Sequence, residues 1–327
     1  ARPPRCVGGW SRGGGGGRHH PYARRARAAP PPPPPHPHWR RRHASIAVQE
    51  SEDRWYLVNA TPDIGDQIED CPALHPGPGS RRTPIAGLVL TDAELDHTLG
   101  IARLREAGAD GLELLTTGPV RDALASGLRL EAVIGPYTPL TWRDLPLDRA
   151  EPLSSGSRKP TGSPDSAITI TAIPISAKRP RYAVDSAGPG ADPVGGFTGS
   201  VDPWVVALLL TDRATGATAV YAPALAAWPD ALQSAVAEAD CVIVDGTFWD
   251  NEEPRRTGIS TRTATGMGHL PIDGPDGTAE RLAPLGARCL YTHLNNTNPL
   301  VDPGAPQYKR LAERGIEVAG DGMVIQL

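Results

Sequence analysis

Seven side chains in this sequence join metal-binding or acid–base chemistry to a position just past an apolar run or in a Gly-bounded turn. Asp92, Glu94, Asp96 and His97 follow the run at residues 85–91, Asp245 closes residues 241–245 (CVIVD), His269 lies between Gly268 and Leu270, and His293 follows residues 288–292. Carboxylate oxygens and imidazole nitrogens bind divalent cations at about 2.0–2.2 Å, and strand ends are where loops gather to form sites. Asp96 and His97 are adjacent at a turn into a helix, so both can point back over the strand end. Each residue also has a plainer use. An Asp-His pair can cap a helix beside a surface histidine, Asp245 can cap the turn before Gly246, His269 and His293 can pack structurally, and Glu94 can face solvent. It is the recurrence of acids and histidines at strand ends that points to one metal site assembled from distant segments.

The elements that must position these residues can be read from hydrophobic spacing. Residues 45–49 and 55–59 are short β-like runs joined by a polar stretch, a hairpin pattern. Residues 85–91 (IAGLVLT) form a third strand, apolar enough to be covered on both faces, and residues 98–107 carry helical spacing through Leu99, Ile101 and Leu104. Residues 112–116 and 120–125 repeat strand then helix. The Pro-, Gly- and Ser-rich region 144–203 reads as long loops around one strand at 167–175. Strands follow at 205–210, 218–221, 241–245 and 288–293, and helices at 231–239 and 279–285. A helix at 307–314 and short strands at 317–319 and 323–326 close the chain. Strands in hairpins followed by alternating strand and helix predict an α/β protein, a four-layer αββα sandwich, better than a single doubly wound sheet.

Composition narrows the function classes. The chain has 327 residues with 33 basic and 37 acidic side chains. Residues 1–43 hold ten arginines and no acid, which leaves 23 basic against 37 acidic residues from position 44 onward. A body with that negative balance argues against nucleic acid or an anionic membrane as partner. Gly13 to Gly17, Pro30 to Pro35 and Arg40 to Arg42 mark residues 1–43 as a disordered, Gly/Arg/Pro-rich arm ahead of a domain at 44–327. No run approaches the roughly 18–20 apolar residues of a membrane span, and no apolar stretch of a secretory signal follows the arginines. Four widely spaced cysteines give neither a disulfide framework nor a local zinc knuckle, so a cytoplasmic, reducing setting is expected.

Six motifs now stand in order: residues 58–64 (VNATPDI), 88–100 (LVLTDAELDHTLG), 244–249 (VDGTFW), 267–271 (MGHLP), 293–300 (HLNNTNPL) and 318–323 (VAGDGM). Together they resemble the pyrroloquinoline quinone (PQQ) biosynthesis protein B family, a branch of the metallo-β-lactamase superfamily, over about residues 43–327. The resemblance implies the αββα fold and a step in making PQQ from a Glu and a Tyr of a precursor peptide. It implies an Fe(II)-dependent hydroxylase with O2 as co-substrate, acting on the tyrosine ring of the cross-linked Glu-Tyr precursor. Zinc or manganese are other divalent ions for the same site. Two further readings stay open: a carrier of PQQ or its precursor toward export to the periplasm, and a metallo-hydrolase. Other proteins of the pathway and a second copy of the chain are candidate partners.

The superfamily's HxHxDH signature falls on Asp92, Glu94, Asp96 and His97, with acids in place of its two leading histidines. Hard oxygen ligands disfavour a two-zinc hydrolase, whereas Asp96, His97 and His269 would supply a two-histidine, one-carboxylate face suited to non-haem Fe(II). Asp92 is expected as fourth ligand or as partner behind a ligand. By superfamily position Asp245 and His293 are a bridging acid and the last metal histidine, or else orient ligand and substrate. Because substrate and product carry several carboxylates, Arg262 and the amides of Asn295, Asn296 and Asn298 are candidate recognition groups. One departure is large. Family members start with a strand and a Gly-rich turn leading to a cysteine cluster that looks like a structural zinc site. Residues 1–43 keep only Cys6 of it and resemble a GC-rich coding region read out of frame, so this chain is expected to lack both the edge strand and that zinc.

Overall fold

Alternation decides which way each strand turns its side chains. In residues Cys241–Asp245, Cys241 and Ile243 pack between two sheets while Val242 and Val244 face a helical layer. Both faces are covered, which is why that strand is apolar up to its closing Asp245. Ile85–Val89 does the same, with Val89 turned to the inter-sheet core and Leu88 to the opposite helical layer.

The computed structural model describes residues 5–8, 41–77, 83–106, 111–154, 166–186 and 203–327. Its strands are β1 (Arg5–Gly8), β2 (Ile46–Ser51), β3 (Arg54–Val58), β4 (Ile85–Val89), β5 (Leu112–Thr116), β6 (Leu140–Asp144), β7 (Glu151–Pro152), β8 (Ile168–Ser176), β9 (Val205–Asp212), β10 (Thr218–Ala222), β11 (Cys241–Asp245), β12 (Arg288–Thr292), β13 (Ile316–Val318) and β14 (Met323–Gln326). They form two sheets, in the orders β14-β1-β2-β3-β4-β5-β6 and β13-β12-β11-β10-β9-β8-β7. β3 to β6 run parallel to one another, as do β10 to β13; every other pairing is antiparallel. At the end where β4 stops, the Val206 amide donates to the Thr91 carbonyl at 2.9 Å and ties one sheet to the other.

Helices close the sandwich. α1 (Ile64–Glu69), α3 (Gly118–Asp122) and α4 (Leu130–Ile134) cover the first sheet through Ile64, Val120, Leu130 and Ile134, while α2 (Leu95–Thr98) sits at its rim. The second sheet is covered by α5 (Asp230–Glu238), α8 (Thr278–Leu282) and α9 (Pro306–Ala312) through Leu232, Val236, Ala279, Leu282 and Leu311; α6 (Glu253–Arg256) and α7 (Ala264–Met267) are short turns near its end. This is the αββα architecture expected from the order of elements. Among the described residues no helix is long and apolar enough to cross a membrane.

Three expectations are corrected. The helix expected at 98–107 is the single turn α2 followed by a 3-10 stretch, Leu99–Leu104. The His97 carbonyl accepts from the Ala60 amide at 2.7 Å and the Gly100 amide donates to the Ala60 carbonyl at 2.8 Å, so both groups are withdrawn from an i→i−4 ladder. β6 lies in the stretch 126–144, where no strand was expected; it is an edge strand, only half-buried, and its mixed polar pattern hides it. Finally, residues 1–43 are not wholly a strandless arm. Arg5–Gly8 pairs antiparallel with β2 and β14, as an interior strand. Arg41 binds the Ala319 carbonyl and the Tyr308 hydroxyl, Arg42 pairs with Asp70, and the His43 amide donates to Asp63 at 3.1 Å, so the ordered body begins before residue 44. The runs Gly13 to Gly17 and Pro30 to Pro35 lie outside the described residues.

Candidate metal centre

The acid loop begins where β4 ends. Asn59, in the left-handed backbone region at φ 62°, donates its amide to the Val89 carbonyl at 2.8 Å and its side-chain nitrogen to the Thr91 hydroxyl at 3.0 Å. Thr91 returns its amide to Asn59 Oδ1 at 3.0 Å and its hydroxyl proton to Asp92 Oδ2 at 2.8 Å. Asp92 also accepts the Glu94 amide at 2.9 Å and His97 Nδ1 at 2.7 Å. A carboxylate here can only accept, so Nδ1 of His97 carries a proton and Nε2 is the nitrogen left to face an ion. That Nε2 is buried and has no partner.

The other half comes from β11 and β12. Asp245 Oδ2 accepts from the Leu225 amide at 2.9 Å and from His269 Nδ1 at 2.6 Å; Oδ1 accepts from the Thr247 amide at 2.9 Å and the Thr247 hydroxyl at 2.5 Å. With its proton given to Asp245, the Thr247 oxygen accepts from His293 Nδ1 at 2.6 Å. His293 has a left-handed backbone, φ 60°, and its Nε2 stands 3.4 Å from Asp96 Oδ2. The His97 and His293 rings are 5.2 Å apart edge to face, and those of His269 and His293 are stacked at 5.6 Å.

Two donor clusters result, each with its ligand atoms within 4.8 Å of one another: Asp96, His97 and His293, and Asp245, His269 and His293. The first has a carboxylate and two imidazoles, with an orphaned nitrogen that costs about 1–3 kcal/mol when left unmet. In the second, Asp245 already accepts four hydrogen bonds. His293 belongs to both clusters, whereas His269 belongs to the second, stacked beside His293 with its Nδ1 held by Asp245. Asp92, accepting from three donors, stands behind His97 as a partner that fixes its ring.

Electrostatics follow the same division. Burial pushes the Asp96 and Asp245 carboxyls up, but the imidazoles beside them prevail and hold both well below the usual carboxylate range. For His293 burial opposes the charge, yet Asp245 and Asp96 prevail and push it up to about 10. Burial, with Asp92 and Asp96, raises the Glu94 carboxyl against the pull of Lys178. Without an ion the centre is held together by protons on imidazole, and a divalent cation would replace positive charge with positive charge.

Comparison with known proteins places this geometry. Residues 54–293 match the Beta-lactamase superfamily domain. The coenzyme PQQ synthesis protein B of Azoarcus sp. is 38% identical over 290 residues, 88% of each chain, and that of Cupriavidus necator is 38% identical over 289, also 88% of each. This chain belongs to the coenzyme PQQ synthesis protein B family. The Zn(2+)-bound PqqB from Methylobacterium extorquens superposes with a TM-score of 0.76 at 25% identity, covering 99% of this chain and 100% of that one. A diphosphatase from the PhnP family shares the fold at a TM-score of 0.58 and 14% identity, covering 99% of this chain and 98% of its own.

Within the family motifs, several side chains prove to hold loops. Asn298 is fully buried, donating to the Gly246 carbonyl at 2.7 Å and accepting the Leu300 amide at 2.9 Å. Asn295 is buried and donates to Thr297, whose hydroxyl reaches the buried Glu253 at 2.6 Å. Both amides are engaged within the protein by these contacts; Asn296 and Arg262 are exposed on the loops after β12 and before α7. Asn59, Thr91 and Thr247 were missed from the sequence. Threonine and asparagine give no signal of their own, although all three lie inside or beside the quoted motifs.

Proposed function

We propose that this chain carries out a metal-dependent step of coenzyme PQQ synthesis, the hydroxylation of the tyrosine ring in a cross-linked Glu-Tyr precursor, with one Fe(II) held by Asp96, His97 and His293. What supports a metal is the buried His97 Nε2, turned by Asp92 and left without a partner beside Asp96 and His293 Nε2. The zinc held by the Methylobacterium extorquens relative supports a divalent ion in this family. Two imidazoles and one carboxylate with open positions also suit ferrous iron, which when bound would supply the activation of dioxygen.

The residues around that face have separable duties. Asp92 and Thr247 fix the tautomers of His97 and His293, so both present Nε2. His269, half-buried and anchored at Nδ1 by Asp245, keeps Nε2 for the substrate and takes the phenol proton as a general base.

The test is incubation of the precursor with protein, Fe(II), oxygen and a two-electron reductant, which balances the step by carrying the second oxygen atom to water, read by mass. One or more added oxygen atoms are expected; a ligand recovered with unaltered mass overturns the reading in favour of a carrier. His97→Ala should lose both ion and turnover, whereas His269→Gln should keep the ion and lose turnover.

A further inference from the structure

Lys178, in the segment that follows β8, joins the two loops that carry the metal donors. Its ammonium donates to the Met267 carbonyl at 2.9 Å and lies 3.5 Å from Glu94 Oε1. Met267 is two residues before His269, and Glu94 is two before Asp96. The stem is fitted to the loop: Gly268, at φ 93°, leaves room for it where a Cβ would fall 2.9 Å from Lys178 Cδ. Glu94 and Lys178 are both only partly exposed, at 36% and 39% of their side-chain surface.

The cluster of Asp245, His269 and His293 is a second place where donor atoms converge, and it shares His293 with the first. An ion there, with His293 committed to the first ion, is left with one imidazole and a carboxylate already saturated by hydrogen bonds. Glu94 is the remaining acid of the loop, and it lies in the field of Asp92 and Asp96. Resting on the metal reading above, we propose that Lys178 limits the centre to a single divalent ion. Its ammonium occupies Glu94 and supplies, between the two loops, the positive charge that a second cation would otherwise bring.

The experiment is equilibrium dialysis of the full chain against Co(II), with ions per chain counted by elemental analysis for wild type, Lys178→Arg and Lys178→Met. The expected counts are about one for wild type and Lys178→Arg, and about two for Lys178→Met. Lys178→Gln, which can still donate to the Met267 carbonyl but has no charge, replaces the Met variant if that one fails to fold. A single ion in the neutral variants, or two in wild type, overturns the proposal while leaving the metal centre intact. No ion in wild type removes the metal reading and this proposal with it.

Discussion

Thr247 aims His293 by accepting a hydrogen bond from its Nδ1 and donating its own hydroxyl to Asp245. Thr247→Val keeps the shape and deletes the relay, so Co(II) affinity should fall about 10–100-fold, as when outer partners of metal histidines are removed, with Thr247→Ser restoring it in the same titration. The sign of the pH dependence follows from the same contacts. His293, raised to about 10, stabilises the ion-free protein fully below the ordinary histidine range and loses that contribution as pH climbs through its raised value. Asp96 and Asp245, depressed, stabilise above the ordinary carboxylate range and lose their contribution on acidification. Metal entry must expel the His293 proton, so Co(II) binding should release protons and tighten between about pH 6 and pH 9; a flat affinity across that range would contradict the assignment of His293 as a ligand. Residue types and strand-end positions brought Asp96, His97, His269, His293 and Asp245 together from sequence. Which imidazole lies near Asp96 and His97 was not legible, because it depends on the direction in which Thr247 and Asp245 turn each ring.

At the level of elements, α2 and the 3-10 stretch after it are held by backbone against backbone. Gly100 passes so close to residues 60 and 61 that an added Cβ would fall 1.9 Å from the Thr61 carbonyl oxygen. Gly100→Ala should therefore displace the turn carrying His97, cost about 3 kcal/mol as a severe overpacking, and lower metal content with it, measured by urea denaturation and elemental analysis. Strands such as β5 and β11 were legible to the residue because both of their faces are buried and the runs are mostly apolar, broken only by Glu113 and by the closing Thr116 and Asp245. The helix after His97 was not. Its spacing is helical, but the competing bonds from Ala60 are long-range and leave no periodic trace.

Across the whole molecule, the donors of the first cluster come from opposite halves of the sandwich: Asp96 and His97 follow β4 of one sheet, and His293 follows β12 of the other. An ion there would cross-link the sheets, so chelation should lower the melting temperature. With free metal at a hundred times its dissociation constant the linkage is about 2.7 kcal/mol, or roughly 5 °C; scanning calorimetry with and without EDTA reads it, and no shift would mean that the folded chain holds no ion. The layered order was legible because strands arranged first in hairpins and later alternating with helices leave few other packings. The strand at Arg5–Gly8 was not, since its neighbours in sequence are compositionally barren and its pairing partners lie tens to hundreds of residues away. The peptide clasp from Val206 to Thr91 gives this rim a built-in clock. Its proton can swap with solvent deuterium only when the halves part beside the ligands, so the exchange lifetime of that one amide times the opening of the sandwich mouth.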